Sequence, residues 1–210
     1  MGHSFASFAP APSNSVVHSF AFFAVKEVWA HTWHLCTHYN RSNMFNDEFI
    51  SQSILRFEEN TPKIERCLDE LTDDEVWHRP NASSNSIGNL LLHLCGNITQ
   101  YVLSGLGNIE DRRERSKEFT STAVFTKTEL LSKLKSTVEA AVVIIKNLKE
   151  DEMLMVRSVQ GYQLSAIGIV IHVVEHYSYH TGQIIYWTKL LKDKDLGFYS
   201  KVDLNKKNKS

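Results

Sequence analysis

The sequence has few cysteines, no long apolar run and no excess of either charge. The three cysteines, Cys36, Cys67 and Cys95, form no CxxC pair, and an odd number without such pairs indicates reduced thiols and a cytoplasmic location. No apolar run reaches the ~18 residues that a membrane-spanning helix needs. Because the formal net charge is only -1, we expect no general attraction to nucleic acid or to an acidic membrane.

Full charges are also scarce among the first 43 residues, where Phe, Ala, Ser and His dominate. The histidines and the cysteine between His31 and His38 match no zinc motif by spacing. We therefore expect residues 1–43 to be a flexible N-terminal extension, or the product of a start codon placed too early, with Met44 as the functional start. A secretory signal is the weaker alternative, because no basic residue precedes the apolar stretch Val16 to Val25.

The remaining chain is predicted to form one domain over residues 44–195, followed by a basic, solvated tail over residues 196–210. Apolar spacing predicts a long amphipathic helix over Phe45–Leu71. Capping boxes at Thr72–Glu75 and Thr126–Glu129 open a short helical turn and another long helix. Met153–Gln163 is a candidate hairpin or extended connector. Because no strand of any length is evident elsewhere, we predict an all-α four-helix bundle.

The C-terminal helix, predicted from Ser165 to Leu191, carries a ladder of histidines. His172, His176 and His180 are four residues apart and therefore lie on one face of a helix. Two imidazoles at i and i+4 can chelate one metal ion, because their Cβ atoms are ~6 Å apart. Such a pair is half a site, so a third ligand has to come from elsewhere in the chain.

A second polar face supplies that ligand. The helix predicted to begin at Ser86, with a serine N-cap and glycines at its end, carries Ser86, Asn89, His93, Gly96, Asn97, Gln100 and Ser104 on one side. No charged residue occurs between Arg79 and Glu110, whereas a solvent-facing stripe is usually charged. We therefore expect a buried seam that faces the C-terminal helix, with His93 as the third ligand. The alternative is a core histidine bonded to an amide.

Glu110–Phe119 is a run of charged residues between the second and third long helices. Such a run is most often a solvated loop. The alternative is that its arginines close over a bound anionic group, which guanidinium groups recognise well.

Two motifs together carry a resemblance to a known family. One is Asn85–Asn97, which contains His93, and the other is Glu175–Ile184, which contains His176 and His180. Together they resemble the DinB/YfiT-like superfamily of proposed metalloenzymes, in a largely uncharacterised branch. The resemblance covers about Met44 to Leu191. It implies a four-helix bundle, usually a homodimer, that holds zinc or nickel with three histidines. Carried onto this chain, the metal ligands are His93, His176 and His180.

The resemblance also implies a chemistry. Three neutral imidazoles leave a coordination position open, and a thiol or water bound there becomes more acidic. Related enzymes use low-molecular-weight thiols, so the leading hypothesis is a transferase that activates a small thiol and delivers it to an electrophile, a small-molecule substrate. The residues expected to orient ligands or substrate are Asn97, Gln100, Gln183 and His172, which stands outside the family pattern, and those expected to move a proton are Glu175 or Tyr179.

Two alternatives stay open. A metal-hydroxide hydrolase needs the same three ligands. A non-catalytic dimeric bundle, acting as a binding or stress-response module, would use the histidines only for packing or for a structural metal. The coordination sphere of a structural metal is normally completed by a fourth protein ligand. Cys95 is poorly placed for that role because it lies ~160° from His93 around the helix.

Overall fold

The computed structural model describes residues 44–208, so the expectations for residues 1–43 lie outside the described part of the chain. The helices in chain order are α1 (44–70), α2 (Asp73–Trp77), α3 (Ile87–Ile98), α4 (Arg115–Thr120), α5 (Lys127–Lys146) and α6 (Ala166–Lys192). Two short strands, β1 (Val156–Val159) and β2 (Tyr162–Ser165), stand between α5 and α6. The four long helices α1, α3, α5 and α6 form the predicted all-α bundle.

Hydroxyl side chains set the start of four helices. The N-caps are Thr72 for α2, Ser86 for α3, Thr126 for α5 and Ser165 for α6, and each side chain accepts a hydrogen bond from a backbone N–H in the first turn. These bonds satisfy donors that the helix itself leaves free. The starts predicted from the sequence are thereby confirmed, including both capping boxes.

One apolar core joins the four long helices. Its fully buried members include Phe57 and Ile64 of α1, Leu91 and Leu94 of α3, Leu134 and Ile145 of α5, and Ile169 and Val173 of α6. Within this core Tyr177 packs its ring 5.0 Å from that of Phe57. Its hydroxyl also lies 2.8 Å from the Thr61 hydroxyl. Because a buried polar group needs such a partner, Tyr177 fixes the rotation of α6 against α1.

The polar seam of α3 is buried, as its lack of charge predicts. Asn89, His93 and Asn97 are all almost inaccessible to solvent. The Asn89 side-chain amide donates to the backbone carbonyls of Glu118 (2.9 Å) and Ser121 (2.8 Å). The seam therefore holds the segment around α4 against α3.

The end of α3 differs from the glycine cap that the sequence predicts. A π-helical turn, Thr99–Ser104, continues α3. Gly105, which follows it, has a right-handed φ of -69° rather than a left-handed one. A Cβ there would lie 2.4 Å from the Tyr101 carbonyl oxygen. Glycine is therefore required for close backbone approach and not for a left-handed cap.

The predicted hairpin is present and short. β1 and β2 are antiparallel, with Val159 paired to Tyr162. The two residues between them, Gln160 and Gly161, have φ of 52° and 83°, as a type I′ turn requires. The Tyr101 hydroxyl donates to Gln160 Oε1 at 2.8 Å, which ties the turn to the π-helical turn after α3.

The chain beyond α6 starts with contacts to the core. Leu196 is buried and Phe198 packs against the core, whereas residues 199–208 are exposed. Among the described residues, no helix is both long enough and apolar enough to cross a bilayer.

Candidate metal centre

Three histidines from α3 and α6 converge on one point, as the sequence predicts. We call His93, His176 and His180 the histidine cluster. The Nε2 atom of His176 lies 3.1 Å from that of His93 and 3.2 Å from that of His180. All three candidate ligand atoms lie within 4.8 Å of one another. Tetrahedral ligands at the usual Zn–N length of ~2.0–2.1 Å are roughly 3.3–3.4 Å apart, so two of the three pairs already have a suitable spacing.

Hydrogen bonds to the outer nitrogens orient two of these rings. His93 Nδ1 lies 2.8 Å from Glu118 Oε2, and His180 Nδ1 lies 2.7 Å from Gln183 Oε1. Because both oxygens are acceptors, we assign the proton of each neutral ring to Nδ1. The Nε2 lone pairs of His93 and His180 therefore point into the cluster, which is the arrangement that metal-binding histidines commonly show.

The third ring lacks an outer partner. His176 Nδ1 is buried and has no hydrogen-bond partner among the described residues. Without a cation, the proton of His176 has to lie on Nε2, where it faces two lone pairs. A cation in the cluster would accept all three lone pairs and let the His176 proton move to Nδ1. The donor set thus fits a divalent metal ion.

Burial favours the neutral form of two rings of the cluster, His176 and His180. It lowers the pKa of His176 to about 3, with the neighbouring His180 and His93 acting in the same direction. Burial also lowers the pKa of His180, although the bond to Gln183 opposes this. Because histidine binds metal in its neutral form, both rings can bind a cation near neutral pH without releasing a proton.

Glu118 and Arg113 are site residues that the sequence did not reveal. Arg113 Nε donates to Glu118 Oε1 at 2.7 Å, and Nη2 donates to Oε2 at 2.9 Å. Their side chains are only 3% and 10% exposed. Burial opposes ionisation of Glu118, but its bonds to Arg113 and His93 outweigh this effect and lower its pKa. The prediction of a solvated loop is therefore wrong for these two residues, because alternating charges show no periodicity that separates buried from exposed ones.

A glycine on α3 marks the place of this ion pair. Gly96 lies nearly one turn beyond His93, and a Cβ there would be 1.9 Å from Glu118 Oε1 and 2.9 Å from Arg113 Nε. A glycine inside an otherwise regular helix commonly signals a close approach by another group. This is the one sequence signal that pointed to a missing neighbour of His93.

The predicted orienting residues surround the cluster. His172 lies against Asn97, with 3.2 Å between its Nε2 and the Asn97 Nδ2, and stacks on Tyr101 with ring centroids 4.1 Å apart. Gln100 accepts a bond of 2.9 Å from Arg113 Nη1. Gln183 bonds His180, as described. The structure therefore brings His172, Asn97, Gln100 and Gln183 to the cluster or to its immediate supports.

The two predicted proton-transfer residues lie further out. Glu175 is exposed, and within residues 44–208 its carboxylate has no hydrogen-bond or ion-pair partner. Tyr179 is mostly exposed; its ring lies 4.9 Å from that of His180, and its hydroxyl accepts a bond of 3.2 Å from Gln183 Nε2. The roles assigned to them stay predictions.

Cys95 is buried, and burial raises the pKa of its thiol to about 11, consistent with a packed thiol.

A cavity of about 400 Å³ borders the cluster; we call it the histidine cavity. Its lining consists of His93, Asn97, Arg113, Arg115, Gln160, Tyr162, His172 and His176. These residues, all from the described part of the chain, include two arginines and no carboxylate. A cavity of this size with a few convergent polar groups is typical of a small-molecule site.

The fold and the site define the class of protein: a helical bundle with three inward-facing imidazoles that form a candidate metal centre. DinB-like proteins of known structure share the fold. The protein from Bacillus cereus has 16% identity and a TM-score of 0.54, covering 66% of this chain and 90% of its own. The protein from Bacillus subtilis has 18% identity and a TM-score of 0.54, covering 70% of this chain and 96% of its own. A conserved protein from Enterococcus faecalis has 17% identity and a TM-score of 0.51, covering 72% of this chain and 97% of its own.

The particular family follows from the sequence. The model of the family described as "Protein of unknown function (DUF1572)" matches residues 44–202. This chain therefore belongs to that family, and its fold is the DinB-like fold that the two motifs predicted. No curated protein matches the sequence.

Proposed function

We propose that this protein is a divalent-metal-dependent enzyme that activates a small thiol at the histidine cluster and transfers it to an electrophile. The observation that carries the proposal is the convergence of three imidazole Nε2 atoms beside a polar cavity. The thiol is suggested by the resemblance to enzymes of the superfamily. We place the protein in the cytoplasm, in keeping with its free cysteines Cys67 and Cys95.

Zinc or nickel held by His93, His176 and His180 would supply a positive charge that lowers the pKa of a bound thiol. The residues around the cluster prepare it for this task. Glu118 and Gln183 orient two of the rings through their Nδ1 atoms. Glu118 also makes His93 a stronger electron donor, because its carboxylate polarises the N–H bond.

The proton of the thiol needs an acceptor in the cavity. Of the residues predicted from the sequence, His172 lines the cavity, whereas Glu175 and Tyr179 do not. Burial lowers the pKa of His172, so its ring is neutral at pH 7. We therefore assign proton acceptance to His172, with Asn97 holding its ring in place. Tyr179 and Glu175 are the alternatives that the sequence suggests.

The first test is the metal content of protein purified without a histidine tag. We expect about one zinc or nickel ion per chain, lost in His93→Ala, His176→Ala and His180→Ala. His78→Ala is the matched control, because His78 is an exposed histidine outside the cluster. A wild-type protein that binds no divalent metal, and whose melting temperature does not respond to added metal, would overturn the proposal.

The second test separates the reactions. Zinc- and nickel-loaded protein is assayed with thiol and electrophile pairs and, in parallel, with esters and amides. Thiol-dependent transfer that falls in His172→Asn and persists in Tyr179→Phe supports the proposal. Turnover of the esters or amides without a thiol would support a metal-hydroxide hydrolase instead. Metal binding without turnover of any substrate would support the alternative of a non-catalytic binding module.

We also propose that two copies of the chain associate through α6. Its exposed side carries Ile171, Tyr179, Tyr186 and Leu190, spaced so that they share one face. Gly182 lies on the same face, and nothing within 4 Å would meet a Cβ there. The exposed residues Glu175 and Lys189 lie on this face as well. A stripe that exposes two tyrosines and two aliphatic side chains is a typical contact surface, and a second copy would cover it.

A further inference from the structure

The histidine cavity carries more positive charge than its neighbours neutralise, and Arg115 is the source. We propose that Arg115 binds a carboxylate of the small molecule that enters the cavity. This inference rests on the proposed metal centre and adds a substrate class to it: a small carboxylic acid whose other end reaches the histidine cluster.

The charges that line the cavity support an anionic ligand. Among the lining residues within 44–208, Arg113 and Arg115 are the only fully charged ones, and none is Asp or Glu. Glu118 lies behind Arg113 and neutralises it through two hydrogen bonds. One positive charge is therefore balanced and the other is not.

Arg115 is the unbalanced one. Across residues 44–208 its guanidinium has no carboxylate partner, whereas the neighbouring Arg112 pairs with Glu110 and Arg113 pairs with Glu118. A guanidinium group offers a planar fork of donors that matches the two oxygens of a carboxylate. An arginine that lines a cavity with these donors free is suited to hold such a group.

Arg115 is an exposed residue whose guanidinium group lies over one neighbouring ring. Its guanidinium carbon lies 4.9 Å from the centre of the Phe119 ring, one turn further along α4. Phe119 in turn packs with its ring centroid 4.8 Å from that of His93. Phe119 thus connects the arginine to the cluster, and stacking on a ring orients the guanidinium before a ligand binds.

The lining of the cavity combines two kinds of group. His93 and His176 contribute imidazole rings, and Arg115 contributes a positive charge. Tyr162 and Gln160, from the hairpin, offer further polar groups. A ligand with a carboxylate and a thiol or other metal-binding group would use both kinds of group at once.

The experiment uses the full chain loaded with cobalt(II), whose visible spectrum reports ligand binding. Two pairs of probes each replace a single carboxylate by the neutral amide: 3-mercaptopropionate with 3-mercaptopropionamide, and imidazole-4-acetate with imidazole-4-acetamide. We expect each carboxylate probe to bind about tenfold or more tightly than its amide, as a charge-assisted hydrogen bond provides. Arg115→Gln should reduce this preference to about twofold or less, and Arg115→Lys should retain part of it.

Arg112→Gln is the matched control. It removes an equal charge three residues before Arg115, and the Arg112 side chain is exposed and already paired with Glu110. The preference should be unchanged in this variant. Circular dichroism of all variants verifies that the bundle is folded. An equal preference in wild type and Arg115→Gln, or an equal loss in Arg112→Gln, would overturn the inference.

The two pairs also distinguish this inference from the proposed function. If neither thiol gives a sulfur-to-cobalt charge-transfer band, thiol activation fails, and the imidazole pair alone decides the role of Arg115. If both thiols give the band but bind equally well, thiol binding stands and the carboxylate site is refuted. Failure of both acids to bind refutes the carboxylate site as well.

Discussion

Glu118 fixes the tautomer and the ring orientation of His93 through one hydrogen bond of 2.8 Å. We predict that Glu118→Gln lowers metal affinity about 10- to 100-fold, as is typical when a group that orients a metal-binding histidine is replaced. The same change leaves Arg113 buried without its ionic partner. Because an unpaired buried charge is expensive, the free energy of unfolding should fall by about 3–5 kcal/mol. Competitive titration against a metal chelator and urea unfolding measure the two effects.

Glu114→Gln provides the comparison. Glu114 pairs with Lys117 at the surface, where both side chains are more than half exposed. Such pairs contribute only about 0–1 kcal/mol, so neither metal affinity nor stability should change measurably. If the two variants behaved alike, the distinct role of Glu118 would be refuted.

The neutral histidines predict how stability depends on pH. In the folded, metal-free protein the pKa of His176 is lowered to about 3, and those of His172 and His180 are also lowered. In the unfolded chain these rings take up protons near pH 6.5. Their contribution to stability is therefore present above pH ~6.5 and is lost as the pH falls toward the folded pKa values.

We expect the urea midpoint of chelator-treated protein to fall between pH 7.5 and pH 5. His176→Gln removes one titrating ring, so its midpoint should fall less steeply over the same range. Parallel curves for wild type and His176→Gln would contradict the account. With metal bound, the wild-type midpoint should be higher throughout and should decline where protons displace the ion.

At the level of elements, the sequence predicts what depends on local contacts. The starts of α2, α3, α5 and α6 follow from N-cap residues that bond to their own first turn. The ladder on α6 follows from helical spacing in the same way. The π-helical turn after α3 and the burial of Arg113 and Glu118 were not predictable, because they depend on contacts between segments distant along the chain.

Two helical glycines differ in the space around them, and alanine substitutions at Gly96 and Gly182 test whether that difference matters for metal binding. Gly96→Ala would place a methyl group 1.9 Å from Glu118 Oε1, so the carboxylate has to leave His93. We predict weaker metal binding, comparable to that of Glu118→Gln, although alanine favours helix by about 1 kcal/mol. Chelator competition and urea unfolding again provide the measurement.

Gly182→Ala is the counterpart on α6. Within residues 44–208 of one chain, nothing lies within 4 Å of the added methyl group. In a chain kept monomeric by Tyr186→Glu only the gain in helix propensity remains, and stability should rise by about 0.5–1 kcal/mol. Metal affinity should be unaffected. A loss of metal binding in Gly182→Ala, or its retention in Gly96→Ala, would contradict the role given to Gly96.

For the whole molecule, the exposed stripe on α6 predicts a dimer. Light scattering during gel filtration should give about twice the chain mass of 24.0 kDa. Tyr186→Glu introduces a charge at the centre of the stripe, where Tyr186 is 70% exposed, and should shift the mass toward that of a single chain. Val143→Glu, on the exposed side of α5, is the control and should not. A wild-type mass of one chain would refute the dimer.

The two-residue turn between β1 and β2 has a consequence for how such proteins diversify. Gln160 and Tyr162 reach the cavity from this turn, while the three imidazoles come from helices anchored in the core. Replacing a few residues of the hairpin can therefore alter which compounds are accepted while the metal chemistry is inherited unchanged. Relatives with different hairpins are accordingly expected to bind different small molecules beside the same three histidines.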